Sequence, residues 1–140
     1  MKVAKEQLVG MVAAVDYLLE QSDEANEKEY MRRADIIMKA VKNIPTMKAD
    51  VYIPEIANHV PHVILDYDPQ TVGITPKEVR QRLRTQAPRI ELNPSTGVSG
   101  SQMGTHSNEN TIVVGVWMMQ PGEAEIVGRR LNEVLSHPNA

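Results

Sequence analysis

Lys48-Ala49-Asp50-Val51-Tyr52-Ile53-Pro54 is the stretch at which the chain changes its hydrophobic period. Ala49, Val51 and Ile53 alternate with Asp50 and Tyr52, the period of two expected of a half-covered strand, and Pro54 stops the run because it cannot donate to a ladder. Downstream, His62-Val63-Ile64-Leu65-Asp66-Tyr67-Asp68 predicts a second strand, ended by Pro69. Thr75-Pro76-Lys77-Glu78 reads as a helix start, with Thr as N-cap, Pro at the first helical position and Glu three residues after the cap. That helix should bury Val79 and Leu83, turn Arg80, Arg82 and Arg84 outward, and close by Pro88. Arg89-Ile90-Glu91-Leu92 predicts a third strand, and residues 93–110 a long polar loop. The stretch from Thr111 to Met119 is apolar on both faces and predicts a central, covered fourth strand. Gln120-Pro121-Gly122-Glu123 then turns into a last helix that faces Ile126, Val127, Leu131, Val134 and Leu135 inward, with Glu123 and Glu125 at the positive end of its dipole.

Upstream of Lys48 the period is 3.6. Leu8, Val12, Val15 and Leu19 make one stripe, widened by Val9, Met11 and Leu18, with Lys5, Glu6, Asp16 and Glu20 on the other side. No Ser, Thr, Asp or Asn precedes Lys2, so this first helix starts without an N-cap, as it would at a cut. Ser22 to Asn26 should break the pattern. A second helix then carries Tyr30, Ala34, Ile37, Val41 and Ile44 inward and Lys28, Arg32, Arg33, Asp35, Lys39 and Lys42 in solvent, and Pro45 ends it. The expected order is α-α-β-β-α-β-β-α: an α+β fold with a mostly antiparallel four-stranded sheet and helices packed against it, one domain over residues 1–140. A ferredoxin-like regulatory domain would need a helix between the first two strands and a strand at the end, and the pattern offers neither.

Composition removes several classes of function. The net charge of −3 argues against non-specific nucleic-acid binding, which needs a positive field. Without cysteine there is no disulfide framework, zinc ribbon or thiol chemistry. The absence of a signal peptide and of any apolar run near membrane-spanning length points to the cytoplasm and away from a membrane. Phe is absent and Met unusually frequent, with eight residues; since Met specifies a core poorly, the chain is expected to pack against a larger domain or a second copy.

Few residues offer chemistry. His59 and His62 have a His-x-x-His spacing, but Val60-Pro61 between them makes the rings diverge, and no third ligand accompanies them. Asp66 and Asp68 alternate on a strand, where a solvated edge accounts for them as well as a carboxylate pair does. Gly97, Gly100 and Gly104 lack the strand-to-helix frame of a phosphate loop. His106 lies in the polar loop, where sites concentrate, and Arg89 at a strand start could hold a carboxylate or phosphate bidentately. The lysines Lys2, Lys5, Lys28, Lys39, Lys42, Lys48 and Lys77 all fall in helical or strand-start patterns, none beside a Gly-rich loop.

Two end blocks carry a resemblance. Met1-Lys2-Val3-Ala4-Lys5-Glu6-Gln7-Leu8-Val9-Gly10-Met11 resembles the segment that opens the small domain in selenocysteine synthase-like enzymes, the fold-type-I pyridoxal-phosphate group that includes seryl-tRNA selenium transferase and glucosaminate-phosphate ammonia-lyase. Val116-Trp117-Met118-Met119-Gln120-Pro121-Gly122-Glu123-Ala124-Glu125-Ile126-Val127, with Arg130-Leu131, resembles the strand, Pro-Gly-Glu turn and terminal helix of the same group, and Pro61-His62-Val63-Ile64-Leu65-Asp66 its middle strand. The resemblance implies a C-terminal small domain, a fragment of a larger enzyme whose cofactor lysine and phosphate loop lie on sequence before this region.

It implies further that the chain completes the substrate cleft of a lyase or transferase acting on an amino acid or amino sugar acid. Pyridoxal 5'-phosphate would then be held by the parent enzyme and not by this chain alone, which would be inactive by itself. The implied partners are the missing large cofactor domain, a second copy in a homo-oligomer and a small-molecule substrate, with no nucleic acid and no membrane. The selenium transferases carry Arg in the strand before the Pro turn, and this chain places Trp117 there, which favours the lyase-like branch. Arg89, His106 and Trp117 are the residues expected to meet substrate; no catalytic, cofactor-binding or metal residue is expected. The alternative class is a stand-alone, non-catalytic small-molecule binding or regulatory module.

Overall fold

The computed structural model describes residues 3–20, 22–55, 59–100 and 106–139; Lys2 and Gly104, singled out above, lie outside them. The elements are α1 (Lys5–Glu20), α2 (Asp23–Val41), β1 (Lys48–Tyr52), β2 (His62–Asp66), α3 (Pro69–Val72), α4 (Pro76–Thr85), β3 (Thr111–Gly115) and α5 (Glu123–Ser136). The fold is α+β, with one antiparallel sheet in the order β1-β2-β3 and helices on one of its faces.

Among the described residues the sheet has three strands, not the four expected. Arg89–Leu92 makes no ladder. The Ile90 N–H turns back to the Leu83 carbonyl, so the segment is committed to the end of α4 before it reaches the sheet. The free edge of β3 is closed instead by the turn that follows. Asn93 N–H donates to the Val113 carbonyl, Gly97 N–H to the Thr111 carbonyl, and the Thr96 hydroxyl accepts from Val113 N–H at 3.1 Å while lying 3.3 Å from the Val113 carbonyl. A buried hydroxyl thereby does for β3 what a neighbouring strand would do. The expected central strand is thus an edge, buried all the same, and it ends at Gly115 rather than Met119. The order becomes α-α-β-β-α-α-β-α. The added element is the single turn α3, nucleated by Asp68, whose carboxylate accepts from Gln70 N–H and the Thr71 hydroxyl. Those bonds, the Thr71 one foremost, hold the Asp68 carboxyl below the ordinary range, so Asp68 is a cap and not half of a carboxylate pair.

The register assigns the faces. Val63, Leu65, Ile112 and Val114 point to the helices and join Ala34, Ile37, Val79, Leu83, Leu131 and Leu135 in one core, whereas Ala49 on the outer strand stays exposed. Ser22 caps α2 by accepting from Ala25 N–H, so that helix begins where a break was expected. Thr75 and Glu78 form the predicted capping box of α4, and its hydrogen bonds lower the Glu78 carboxyl, the backbone N–H of Thr75 contributing most. Gly128 lets α5 close onto α2, since a methyl group there would lie 2.9 Å from Ala40 Cβ. In the core, Tyr67 donates its hydroxyl to the Ile74 carbonyl, and burial pushes that hydroxyl's pKa far up. Helix α1 forms as predicted, its Ala4 N–H donated to the Gln7 side chain, but none of its residues is buried. No described helix is long and apolar enough to cross a membrane.

Candidate functional site

The outer face of the sheet, away from the helices, carries Tyr52, His62 and Gly115. Cross-strand register sets Tyr52 beside His62 and His62 beside Gly115 in one row at one end of the sheet. A second row, Ile64 and Val113, forms a small apolar patch on which Tyr52 packs. His106 reaches this face from the far side of the polar loop and stacks on Tyr52, with ring centroids 3.9 Å apart and planes at 19°. Trp117 arrives from the turn after β3. A methyl group on Gly115 would lie 3.8 Å from its Nε1 and 4.0 Å from His62 Cδ2.

Arg89 lines a groove of about 330 Å³ with its neighbours Pro88, Ile90 and Glu91, with Gly115, Met118 and Met119 after β3, and with Glu123, Ile126 and Val127 of α5. Of the three residues expected from the sequence, Arg89 shares a groove with Gly115, Trp117 lies beside Gly115 without lining that groove, and His106 stacks on Tyr52, two strands away.

Arg89 differs in kind from the other arginines. Arg32 and Arg33 pair with Glu29, Arg80 and Arg84 with Glu91, Arg129 and Arg130 with Glu133, and Arg82 donates to the carbonyls of His137 and Pro138. Among the described residues Arg89 has no hydrogen bond and no ion pair. Its neighbour Glu91 cannot serve it, because hydrogen bonding by Arg80, aided by the charge of Arg84, already commits that carboxylate and depresses its pKa. A free guanidinium at the mouth of an apolar groove suits a ligand with a carboxylate or phosphate and a hydrocarbon body.

Arg33 was expected in solvent and is not. Its side chain is only 12% exposed, is anchored by Glu29 at 2.9 Å, and donates to the carbonyls of Val116 at 3.1 Å and Trp117 at 3.4 Å. It thereby fixes the turn that presents Trp117. Bonds from Arg32 first and Arg33 second pull the Glu29 pKa down to about 2, so this anchor stays charged through the neutral range.

His62 sits at the start of β2, and among the described residues no three His, Asp or Glu side chains could share an ion. The role of its ring follows from one bond. Nδ1 lies 3.1 Å from the Val60 carbonyl, which can only accept, so Nδ1 is the donor in this bond and fixes the ring's orientation. The pairing of His62 with Gly115 was not readable from the sequence, because cross-strand neighbours are set by register and not by spacing along the chain.

No protein-family model matches the sequence, and no curated protein matches it. Among solved structures the chain is similar to D-glucosaminate-6-phosphate ammonia-lyase, with a TM-score of 0.68 over 98% of this chain at 18% identity. The match takes in 33% of that protein, so the chain spans about a third of its length. What the two share is the fold.

Proposed function

We propose that this chain is the C-terminal small domain of a pyridoxal-phosphate-dependent lyase or transferase, completing the cleft in which an amino acid or amino sugar acid is bound. The observation that carries the reading is Arg89, which among the described residues has no hydrogen bond or ion pair and lines a mostly apolar groove in a fold shared with an ammonia-lyase. In this reading Arg89 takes the acid group of the substrate, Trp117 flanks Gly115, one of the residues that line the groove, and the His106–Tyr52 stack holds the polar loop against the sheet. The parent would work in the cytoplasm as a homo-oligomer.

The described residues do not fit the cofactor itself. Lys5, Lys28, Lys39, Lys42, Lys48 and Lys77 are all exposed, and none lines the Arg89 groove. Pyridoxal phosphate would therefore belong to the large domain, and no chemical step is assigned to this chain. Its part is to bind and orient. The exposed apolar surface of α1 supports this division, since a 16-residue helix that buries nothing has its counterpart elsewhere.

Two measurements test the reading. The coding sequence upstream of Met1 should continue in frame and carry the cofactor lysine and the phosphate loop; a stop codon there sinks the fragment. The purified chain should gain thermal stability from millimolar carboxylates, and Arg89→Met should abolish that gain. Protection unaffected by Arg89→Met would favour a stand-alone binding module that uses another surface.

A further inference from the structure

We infer that two oppositely charged surfaces of this chain pair between copies, head to tail. The acidic corner between α1 and α2 of one copy meets the arginine ridge along α4 and α5 of the next. The inference is independent of the reading of Arg89, and either can fail while the other stands. Residues 16–27 carry Asp16, Glu20, Asp23, Glu24 and Glu27 and neither Lys nor Arg. All five carboxylates are exposed, and among the described residues none makes an ion pair. On the ridge, Arg80, Arg82, Arg84, Arg129 and Arg130 have only Glu91 and Glu133 beside them, an excess of three positive charges on a chain of net charge −3. Arg82 donates to the carbonyls of His137 and Pro138 and Arg130 to Gln86, bonds that tie α4 and α5 into one surface. Arg84 and Arg129 are each 63% exposed.

Local reasons do not account for the acidic corner. Asp23 and Glu24 suit the positive end of α2, but Glu20 closes α1, where the helix dipole disfavours a carboxylate and no basic residue stands in the last turn. Asp16 with Glu20, and Asp23 with Glu27, are like charges four residues apart, and each pair weakens its helix. Nor can corner and ridge meet within one copy. Helix α5 runs beside α2 in the same direction: Arg32 pairs with Glu125, Gly128 faces Ala40, and Asn132 donates to the Ala40 carbonyl at 2.7 Å. Arg129 and Arg130 therefore lie beside the end of α2, roughly 20 Å of helix away from its acidic start. A second copy satisfies both surfaces at once. A nucleic acid would satisfy the ridge alone, and the corner and the net charge would repel it. Because the contact joins two different patches it is heterologous, and its repetition builds rows or rings. Exposed ion pairs are individually weak, so the association should be weak and steeply dependent on salt.

The test is sedimentation of the full chain at about 10 mM and about 1 M salt, where the screening lengths are roughly 30 Å and 3 Å. The chain should self-associate in the first, and at least about tenfold more weakly in the second. Arg84→Glu with Arg129→Glu turns the ridge acidic. Asp16→Lys, Glu20→Lys and Glu27→Lys together turn the corner basic. Each variant should be monomeric at low salt, and an equimolar mixture of the two should associate again, which also shows that both are folded. A monomer at both salts overturns the inference, and so does a mixture that stays monomeric while both variants melt like the parent. Association that salt leaves unchanged belongs to the apolar face of α1 and overturns it too. Binding of a single-stranded RNA homopolymer that the Arg84 and Arg129 substitutions abolish would assign the ridge to nucleic acid instead.

Discussion

Helices α1 and α5 are alike in sequence pattern and opposite in fate. Both carry an apolar stripe at helical spacing, and the stripe of α1 is the richer, with Leu8, Val9, Met11, Val12, Val15, Leu18 and Leu19. Yet α5 buries Ala124, Val127, Gly128, Leu131, Val134 and Leu135 against α2 and α4, while α1 buries nothing and leaves Leu19 78% exposed. The pattern says that a helix has an apolar face. It does not say where the partner of that face lies.

The sharpest way to break this contrast is to truncate one leucine on each helix. Leu131→Ala should cost about 2–5 kcal/mol in urea unfolding, as a fully buried leucine does, and Leu19→Ala should stay within about 0.5 kcal/mol. A large loss from Leu19→Ala would mean that α1 packs on this chain in solution.

The two helical glycines should respond with opposite sign. Gly128→Ala drives a methyl against Ala40 and should destabilise by roughly 1–3 kcal/mol, whereas Gly10→Ala meets nothing and should stabilise α1 by about 0.5–1 kcal/mol, read as added helicity. Between these lies the closed edge of β3. Thr96→Val keeps the shape but strips the Val113 N–H of its partner, an expected loss of about 1–3 kcal/mol by thermal unfolding.

The smallest effects concern the clamp on the Trp117 turn. The Glu29 carboxyl is depressed in the folded chain from an ordinary value of 4.5 to about 2. Its contribution is therefore complete above pH 4.5 and lost as pH falls towards 2, because the unfolded state takes up the proton first. Glu29→Gln should flatten the acid limb of the stability profile over that window. Arg33→Met should shift Trp117 emission to the red as the turn loosens, with little change in the melting temperature; an unshifted spectrum would remove Arg33 from the clamp.

Much of the fold was legible because its signals are local. The capping box at Thr75–Glu78, the alternation at Lys48–Tyr52 and the stripe of α5 depend on neighbours within a few residues. The fourth strand was misread for a related reason. Arg89–Leu92 has strand-like composition, but the return of Ile90 to Leu83 and the hydroxyl of Thr96 decide that a turn, and not a ladder, closes the sheet. In the same way Arg33 has the sequence of a solvated residue, and only the approach of Val116 and Trp117 from the far end of the chain gives it a task.

For this protein the sequence by itself determined the helices α1, α2, α4 and α5 and the strands β1 and β2, and offered the chemistry of Arg89, His106 and Trp117, since periodicity, caps and residue chemistry act over short range. Tertiary structure alone decided that His106 stacks on Tyr52, that Trp117 lies beside Gly115, and that among the described residues Arg89 makes no ion pair. Register and ion pairing are settled between residues far apart in the chain, where no spacing rule reaches.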